Sequence, residues 1–548
     1  MSEDAATRLK EEGNALFIQS KFDEALVKYT EAIELDESNA ILWANRSACH
    51  LSMKRYLDSV GDSRKATELD PMYYKAWARL ATAYDVSTTF RLQRRLVSSS
   101  FALKEYLPSS LAWQRALDTL PAENLTPTQE QQCEEYQKRL HESTDRLHHK
   151  ASGGDRSMDT RYYRDGDGQQ PWEVAREMIP ALEASGNTNS SAWVLHGAYK
   201  EFAEGVRIMN GVTVDEGGNL RGEENGFQHL VNGMIREDRV FHMEKEALWI
   251  SAYNRLGTLE RERHDPWLAA GPDYLKREAP SRLAEKGWDV VRPDIDLTIR
   301  FWMLRGKIEG ALDSNVISQN EYYGRCLEVV EWGRELWKDV PASVRGEVFD
   351  ESFIRGLRNL YLQSILQYYG FNRQDTKLAE KLTAEADILL KSLETDPAPG
   401  DNADPGFKLS FYDYCRGSAY ACKAFFHSDL ARRGSSAEQN NQLAGEYYLQ
   451  AAEAYPVDDE HHCQYLNSAL QHLFHRPGLT VRRALDIMAR FRVSANESKK
   501  IWNQHPSRMR PERDHSNGIV MQRENELRRE ISLGRCSLDM KVSKEIQR

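Results

Sequence analysis

Small, aromatic and charged residues alternate at fixed steps near the start of the chain. Gly13, Phe22, Ala25, Tyr29 and Ala32 set the pattern, and Ser47, Tyr56, Ser59 and Ala66 follow Gly13, Phe22, Ala25 and Ala32 by 34 residues. A period of about 34 residues is that of stacked helix hairpins. Small residues let the two helices of a hairpin approach closely, and aromatics fill the gap to the next hairpin. Pro71 closes the second unit, because proline cannot continue a helix. A third unit opens on schedule with Ala81 and Tyr84, but its second half is late. Tyr106, Ser109, Trp113, Ala116 and Pro121 keep the right mutual spacing after an excess of 16 residues. The stretch 86–101 (VSTTFRLQRRLVSSSF) fits that excess. It predicts a basic inserted loop inside the third hairpin; a segment absent from the mature messenger would give the same excess. Arg91, Arg94 and Arg95 read as a solvated charge run on that loop. After it, Thr126-Pro127-Thr128-Gln129 reads as a helix start with cap, proline and capping-box glutamine. The helix it opens is expected to run to about Leu147 and to cap the stack.

Beyond a polar linker at 148–170, residues 171–495 carry apolar positions at helical spacing throughout, in segments such as WEVAREMIPALEA and SFIRGLRNLYLQSILQYYG. The glycine-rich 211–226 reads as a turn or short hairpin, and without a Lys-Ser/Thr ending it is no phosphate loop. Near 408–474, Gly417, Tyr420, Ala444, Tyr448, Ala451 and Pro456 repeat the hairpin spacing around a polar stretch, HSDLARRGSSAEQNN, that reads as a long loop. Residues from 479 form a candidate capping helix. The tail 496–548 is strongly charged and reads as partly disordered, with one helix at NELRREISLGR. The fold class is therefore all-α: three hairpins with a cap (1–147), then a larger helical region of unknown family that reads as a degenerate hairpin array.

Composition narrows the function little. The 548 residues are 40% hydrophobic and 29% charged, with a formal charge of −11, which argues against a nucleic-acid partner. No apolar run reaches the roughly 18 residues of a membrane span. The first residues lack signal-peptide order, and the seven cysteines include no CxxC pair. Reduced thiols and a cytoplasmic location are the expectation.

Five side chains stand out. Lys10 and Asn14 lie one turn apart on the first helix of hairpin one. Lys75 and Arg79 do so on the first helix of hairpin three, and Asn45, on hairpin two, precedes Arg79 by one period. First helices line the concave face of such a stack, so the five are expected to share one groove. Two lysines, an arginine and two asparagines, with no carboxylate, suit a peptide terminus that bears an aspartate, which carries two carboxylates. Together with LKEEGNALF, NRSACH and KAWARLA, they resemble the dicarboxylate clamp of tetratricopeptide repeat (TPR) co-chaperones, such as the stress-inducible chaperone-organising protein and the small glutamine-rich TPR protein. The resemblance covers about residues 5–147. It implies a co-chaperone or adaptor that binds the EEVD ends of heat-shock proteins 70 and 90, with the remaining helices recruiting a client or second protein. It implies no cofactor, catalytic residue, metal, nucleic acid or membrane partner. Alternatives are a chaperone-independent scaffold and an enzyme within 171–495, although no GxSxG, HExxH or Walker-type loop occurs there. His461, His462, Cys463, His472 and His475 form a histidine-rich cluster, but spacings of 11 and 3 spread its helical face over about 21 Å, too far for one ion. Packing is the expected role of these residues.

Overall fold

Helices form wherever the apolar spacing is helical. The computed structural model describes residues 2–86, 109–121, 125–151, 169–268, 271–313, 315–400, 403–474, 479–503 and 510–542. The expected inserted loop lies outside the described residues from 87 onward, as do Tyr106, His475 and 152–168 of the expected linker. In chain order the longer helices are α1 (Ser2–Ile18), α2 (Phe22–Leu35), α3 (Ala40–Ser52), α4 (Tyr56–Leu69), α5 (Tyr74–Val86), α6 (Ser109–Asp118) and α7 (Pro127–Ala151). They continue with α8 (Pro171–Ser185), α9 (Ser191–Asn210), α10 (Gly226–Arg236), α11 (Glu246–Arg263), α12 (Pro272–Lys286), α13 (Trp288–Asp313) and α14 (Val316–Leu336). The last are α15 (Glu351–Phe371), α16 (Thr376–Thr395), α17 (Tyr414–Arg432), α18 (Ala437–Ala454), α19 (Glu460–Leu473), α20 (Val481–Trp502) and α21 (Arg510–Ser532). Among the described residues the only sheet is a hairpin, Thr213–Val214 paired antiparallel with Leu220–Arg221, inside the glycine-rich segment.

The chain divides into two compact units, Met1–Met158 with Ile250–Val329, and Asp159–Trp249 with Val330–Arg548. In the first unit, α1/α2, α3/α4 and α5/α6 form three hairpins and α7 packs on α6. The repeat positions do what their sizes require. A Cβ on Gly13 would stand 2.8 Å from the Tyr29 ring, so only glycine lets α1 lie against α2 here. Ala25, Ala32, Ala66 and Ala116 have no exposed surface. Ser47 packs by hydrogen bonding, its Oγ 2.8 Å from that of Ser59 and 2.6 Å from that of Ser63. After the excess segment, Ser109, Trp113 and Ala116 are buried on α6 as their spacing predicts. The cap forms at Thr126: its N–H donates to Gln129 Oε1 at 2.9 Å, while Gln129 N–H donates to Thr126 Oγ1 at 3.3 Å. The Tyr136 ring of α7 then covers Trp113 at 5.4 Å.

The expected 171–495 domain is not one body, since Ile250–Val329 belongs with the N-terminal hairpins. Long-range polar contacts join the two stretches. Arg325 Nη2 donates to Asp58 Oδ1 at 3.1 Å, for example, and helical periodicity cannot signal such a contact.

In the second unit, α17 and α18 form the hairpin read near 408–474. Ala444, Tyr448 and Ala451 are buried on α18. A Cβ on Gly417 would stand 2.3 Å from the Tyr455 ring, which is itself buried against Tyr414 at 4.6 Å. Gly417→Ala should therefore destabilise this unit by about 1–3 kcal/mol, the usual cost of overpacking, seen as a lower urea midpoint.

The polar stretch between these helices is no long loop. Helix α17 runs to Arg432 and α18 begins at Ala437. His427 and Asn440 bond at 2.8 Å, and Asp429 accepts from Tyr369 Oη at 2.8 Å and Arg432 Nη2 at 2.6 Å, so the polar residues are used within the helices. The tail boundary at 496 also falls inside an element, because α20 continues to Trp502. From the tail, Leu527 and Val542 bury themselves in the same core as Leu485 and Phe491. Backbone bonds Val481 N to Met540 O at 2.9 Å and Val542 N to Leu479 O at 2.8 Å fasten the end of the described chain. Most described charges of α21 are at least partly exposed, but Glu524 is buried and accepts from Arg492 Nη1 of α20 at 2.8 Å, so that an ion pair and a few apolar residues seat the helix.

Candidate peptide-binding groove

Three of the five singled-out residues join in one hydrogen-bonded row across α1, α3 and α5. Asn45 Nδ2 donates to Asn14 Oδ1 at 3.2 Å, and Arg79 Nη1 donates to Asn45 Oδ1 at 3.4 Å. The row follows from the repeat: Asn45 and Arg79 occupy equivalent positions on successive first helices, and stacking brings those helices together. Tyr29 Oη also donates to Asn14 Oδ1, at 2.7 Å. Burial, with Cys49 adding to it, pushes the Tyr29 phenol up to about 12, so it stays a donor at neutral pH. Two donors on Asn14 Oδ1 leave the NH₂ group of that amide to donate elsewhere.

Arg79 is half-buried. Burial lowers its pKa, and the phenols of Tyr73, Tyr136 and Tyr29 oppose that shift. An arginine stays charged throughout. Among the described residues no carboxylate pairs with it. A partly desolvated guanidinium without a counterion is an anion-binding group in waiting.

Lys10 and Lys75 do not join the row. Lys10 is half-buried one turn before Asn14; Lys75 is exposed one turn before Arg79, its Nζ 5.8 Å from the centre of the Tyr74 ring. Neither is in an ion pair among the described residues. Tyr29 and Tyr73 are the residues bonded to this row that sequence reasoning missed. Tyr29 was visible only as a packing aromatic, and Tyr73 hydrogen-bonds the Arg79 side chain without any repeat position to mark it.

The histidine-rich cluster packs. His461 stacks on Tyr465 at 5.7 Å, and His472 stacks on Tyr448 at 5.7 Å and meets Asn441 Oδ1 at 2.8 Å. His462 Nδ1 bonds Tyr455 O at 2.9 Å, and burial pushes the Cys463 thiol up to about 11. No group of three metal-capable side chains converges among the described residues, and no described helix is long and apolar enough to cross a membrane.

Hairpin stack, cap and uncharged-to-basic row together define a TPR-type module. Residues 13–51 match the family model for the TPR repeat. The heat shock protein sti1 homolog of Schizosaccharomyces pombe is 46% identical over 78 residues, 14% of this chain and 13% of that protein. The Hsp70-Hsp90 organizing protein of Triticum aestivum is 39% identical over 79 residues, 14% of each. The chain thus spans less than a sixth of the length of either relative. Among solved structures, the Arabidopsis OM64 TPR domain is 27% identical, covering 26% of this chain and 98% of that one at a TM-score of 0.20.

Proposed function

We propose that the chain is a co-chaperone adaptor. Its N-terminal groove binds the acidic C-terminal tail of heat-shock protein 70 or 90 through Lys10, Asn14, Asn45, Lys75 and Arg79. The observation that carries this reading is Arg79, half-buried, tied to Asn45 and without a carboxylate partner among the described residues. A peptide's terminal aspartate supplies the missing charge twice, from its side chain and its α-carboxylate. The two lysines add cations at the rim, and the asparagine amides donate without repelling a second base. Several charge-assisted bonds of roughly 1.5–3 kcal/mol each, less ordering costs, give micromolar affinity, about −8 kcal/mol. The similarity to proteins named as heat-shock organisers supports the choice of partner. The second unit would recruit a client or second protein, the site of action being the cytoplasm.

Calorimetric titration of the full chain with a peptide ending in EEVD tests this. Binding should be micromolar and should vanish when the last aspartate is deleted. Equal binding of the shortened peptide would instead make the chain a chaperone-independent scaffold. Affinity should also fall steadily with added salt, because screening shortens the reach of charge from about 10 Å at 0.1 M to about 3 Å at 1 M.

A further inference from the structure

Helix α4 starts without a cap of its own. Arg55 stands at its N-cap and offers no side-chain acceptor, and Lys54 before it sits at φ 60°. The first N–H groups of a helix need partners. Here one comes from a residue far along the chain: Leu57 N–H donates to Glu321 Oε1 at 2.6 Å, and Tyr56 N–H bonds the same carboxyl. Glu321, Arg325 and Glu328 are four and three residues apart and so share one face of α14. Arg325 reaches Asp58 at 3.1 Å, and the Arg55 guanidinium stands 3.6 Å from Glu328 and 3.7 Å from Asp273. Lys276 Nζ bonds Glu328 at 2.7 Å. The other Glu321 oxygen, Oε2, is buried without a hydrogen-bond partner.

We propose that Glu321 is a proton-operated latch: protonated, it holds α14 on the start of α4, the second helix of the second TPR hairpin; ionised, it lets that contact loosen. An unpartnered buried carboxylate oxygen is costly, whereas a carboxylic acid keeps its carbonyl as the acceptor for Leu57 and places its proton on the oxygen that lacks a donor. The surroundings set the direction. Burial, with repulsion from Asp58 added to it, pushes the Glu321 carboxyl up to about 8 against the opposing pull of Arg325 and the two backbone N–H groups. Asp58 itself stays ionised: burial works against its charge, but the Arg325 and Arg55 guanidinium groups hold its carboxyl down at about 2. His50, on α3, has its pKa lowered by burial and is neutral here. Arg55 and Arg325 remain cationic throughout. Lys276 and Glu328 are paired to each other, Asp273 faces Arg55, and Glu321 is the carboxyl that burial brings toward neutrality.

The sign follows from linkage. Glu321 holds its proton more tightly when the contact is closed than in water, where its pKa is near 4.5. The contact is therefore firmest at low pH and weakens as pH rises toward about 8. The opening constant climbs by up to about tenfold per pH unit, the limit for one proton.

Hydrogen–deuterium exchange of the full chain, scaled for the intrinsic pH dependence of amide exchange, reads this at residues 55–60. Protection there should fall by up to about a hundredfold between about pH 6 and 8 in the natural chain, while α1 and α2 stay level. Glu321→Gln, which keeps the carbonyl acceptor and an N–H on the second atom, should hold high protection at both pH values. Level protection in the natural chain, or a Glu321→Gln variant that loses protection in step with it, overturns the latch.

Discussion

Arg79→Ala should lower affinity for an EEVD-ended peptide about 30- to 150-fold, the loss expected when a charge-assisted pair worth about 2–3 kcal/mol is removed. Among the five proposed contacts this one should lose most. Its guanidinium is already half-desolvated, so a carboxylate there interacts through a lower dielectric than at the surface. Its planar fork can meet a carboxylate with two parallel bonds, and Asn45 holds it at 3.4 Å before any peptide arrives. Lys75 is exposed and its ammonium well hydrated, so Lys75→Ala should cost about 3- to 10-fold, in the range of surface pairs. Stability separates a lost contact from a lost fold. Arg79 strands no carboxylate among the described residues when it is removed, so the thermal midpoint of Arg79→Ala should stay within a few degrees of the parent. Calorimetry with unchanged affinity for the alanine variant would refute the groove.

The first three hairpins were legible because their contacts are local and repeated. Gly13 against Tyr29, Ser47 against Ser59, and Ala116 beside Trp113 each involve residues within one hairpin, so the spacing that defines the pattern also defines the packing. Mutual spacing even survives the excess segment, since Ser109, Trp113 and Ala116 lie on one turn-spaced face of α6 regardless of what precedes them. The row of Asn14, Asn45 and Arg79 was legible for the same reason. The contribution of Ile250–Val329 to the first unit was not. Asp58 and Arg325, or Glu321 and the backbone N–H of Leu57, are charged or polar groups that look solvated one at a time and gain meaning only when paired across the chain. The tail misled through composition: Leu527 and Val542 are few among many charges, yet burial of one helix face needs few. The loop expected at 427–441 failed on the same ground, because Asp429 and Asn440 are polar residues satisfied inside helices.

Asp459→Ala should destabilise the second unit by about 3–5 kcal/mol, the cost of breaking a buried ion pair from one side. Asp459 is wholly buried at the N-cap of α19, where its Oδ1 accepts from His461 N–H at 2.9 Å. Arg239 donates to its two oxygens at 3.1 and 2.8 Å, and Tyr414 Oη donates at 2.6 Å. Arg239 is also bonded to Glu237 at 2.8 Å and lies over the Trp502 ring at 4.4 Å. Alanine removes a helix cap, strands the Tyr414 hydroxyl and takes from the guanidinium one of its three carboxylate partners, leaving Glu237 at 2.8 Å and Glu460 at 3.5 Å. Asn keeps an acceptor for the start of α19 but turns the oxygen that Tyr414 donates to into an NH₂ group, so Asp459→Asn should cost less than alanine, about 1–3 kcal/mol. At about 2–4 °C per kcal/mol for a unit of this size, the alanine variant should melt at least about 6 °C lower. Acid supplies an independent check. Burial opposes the Asp459 charge, but Arg239 and His461 hold the carboxyl well below the ordinary value of 3.8. Its contribution is therefore complete above about pH 4 and is lost as pH falls further. Asp459→Asn should flatten that part of the acid-unfolding curve, whereas an unchanged curve together with an unchanged midpoint for the alanine variant would mean that Glu237 and Glu460 hold Arg239 without it.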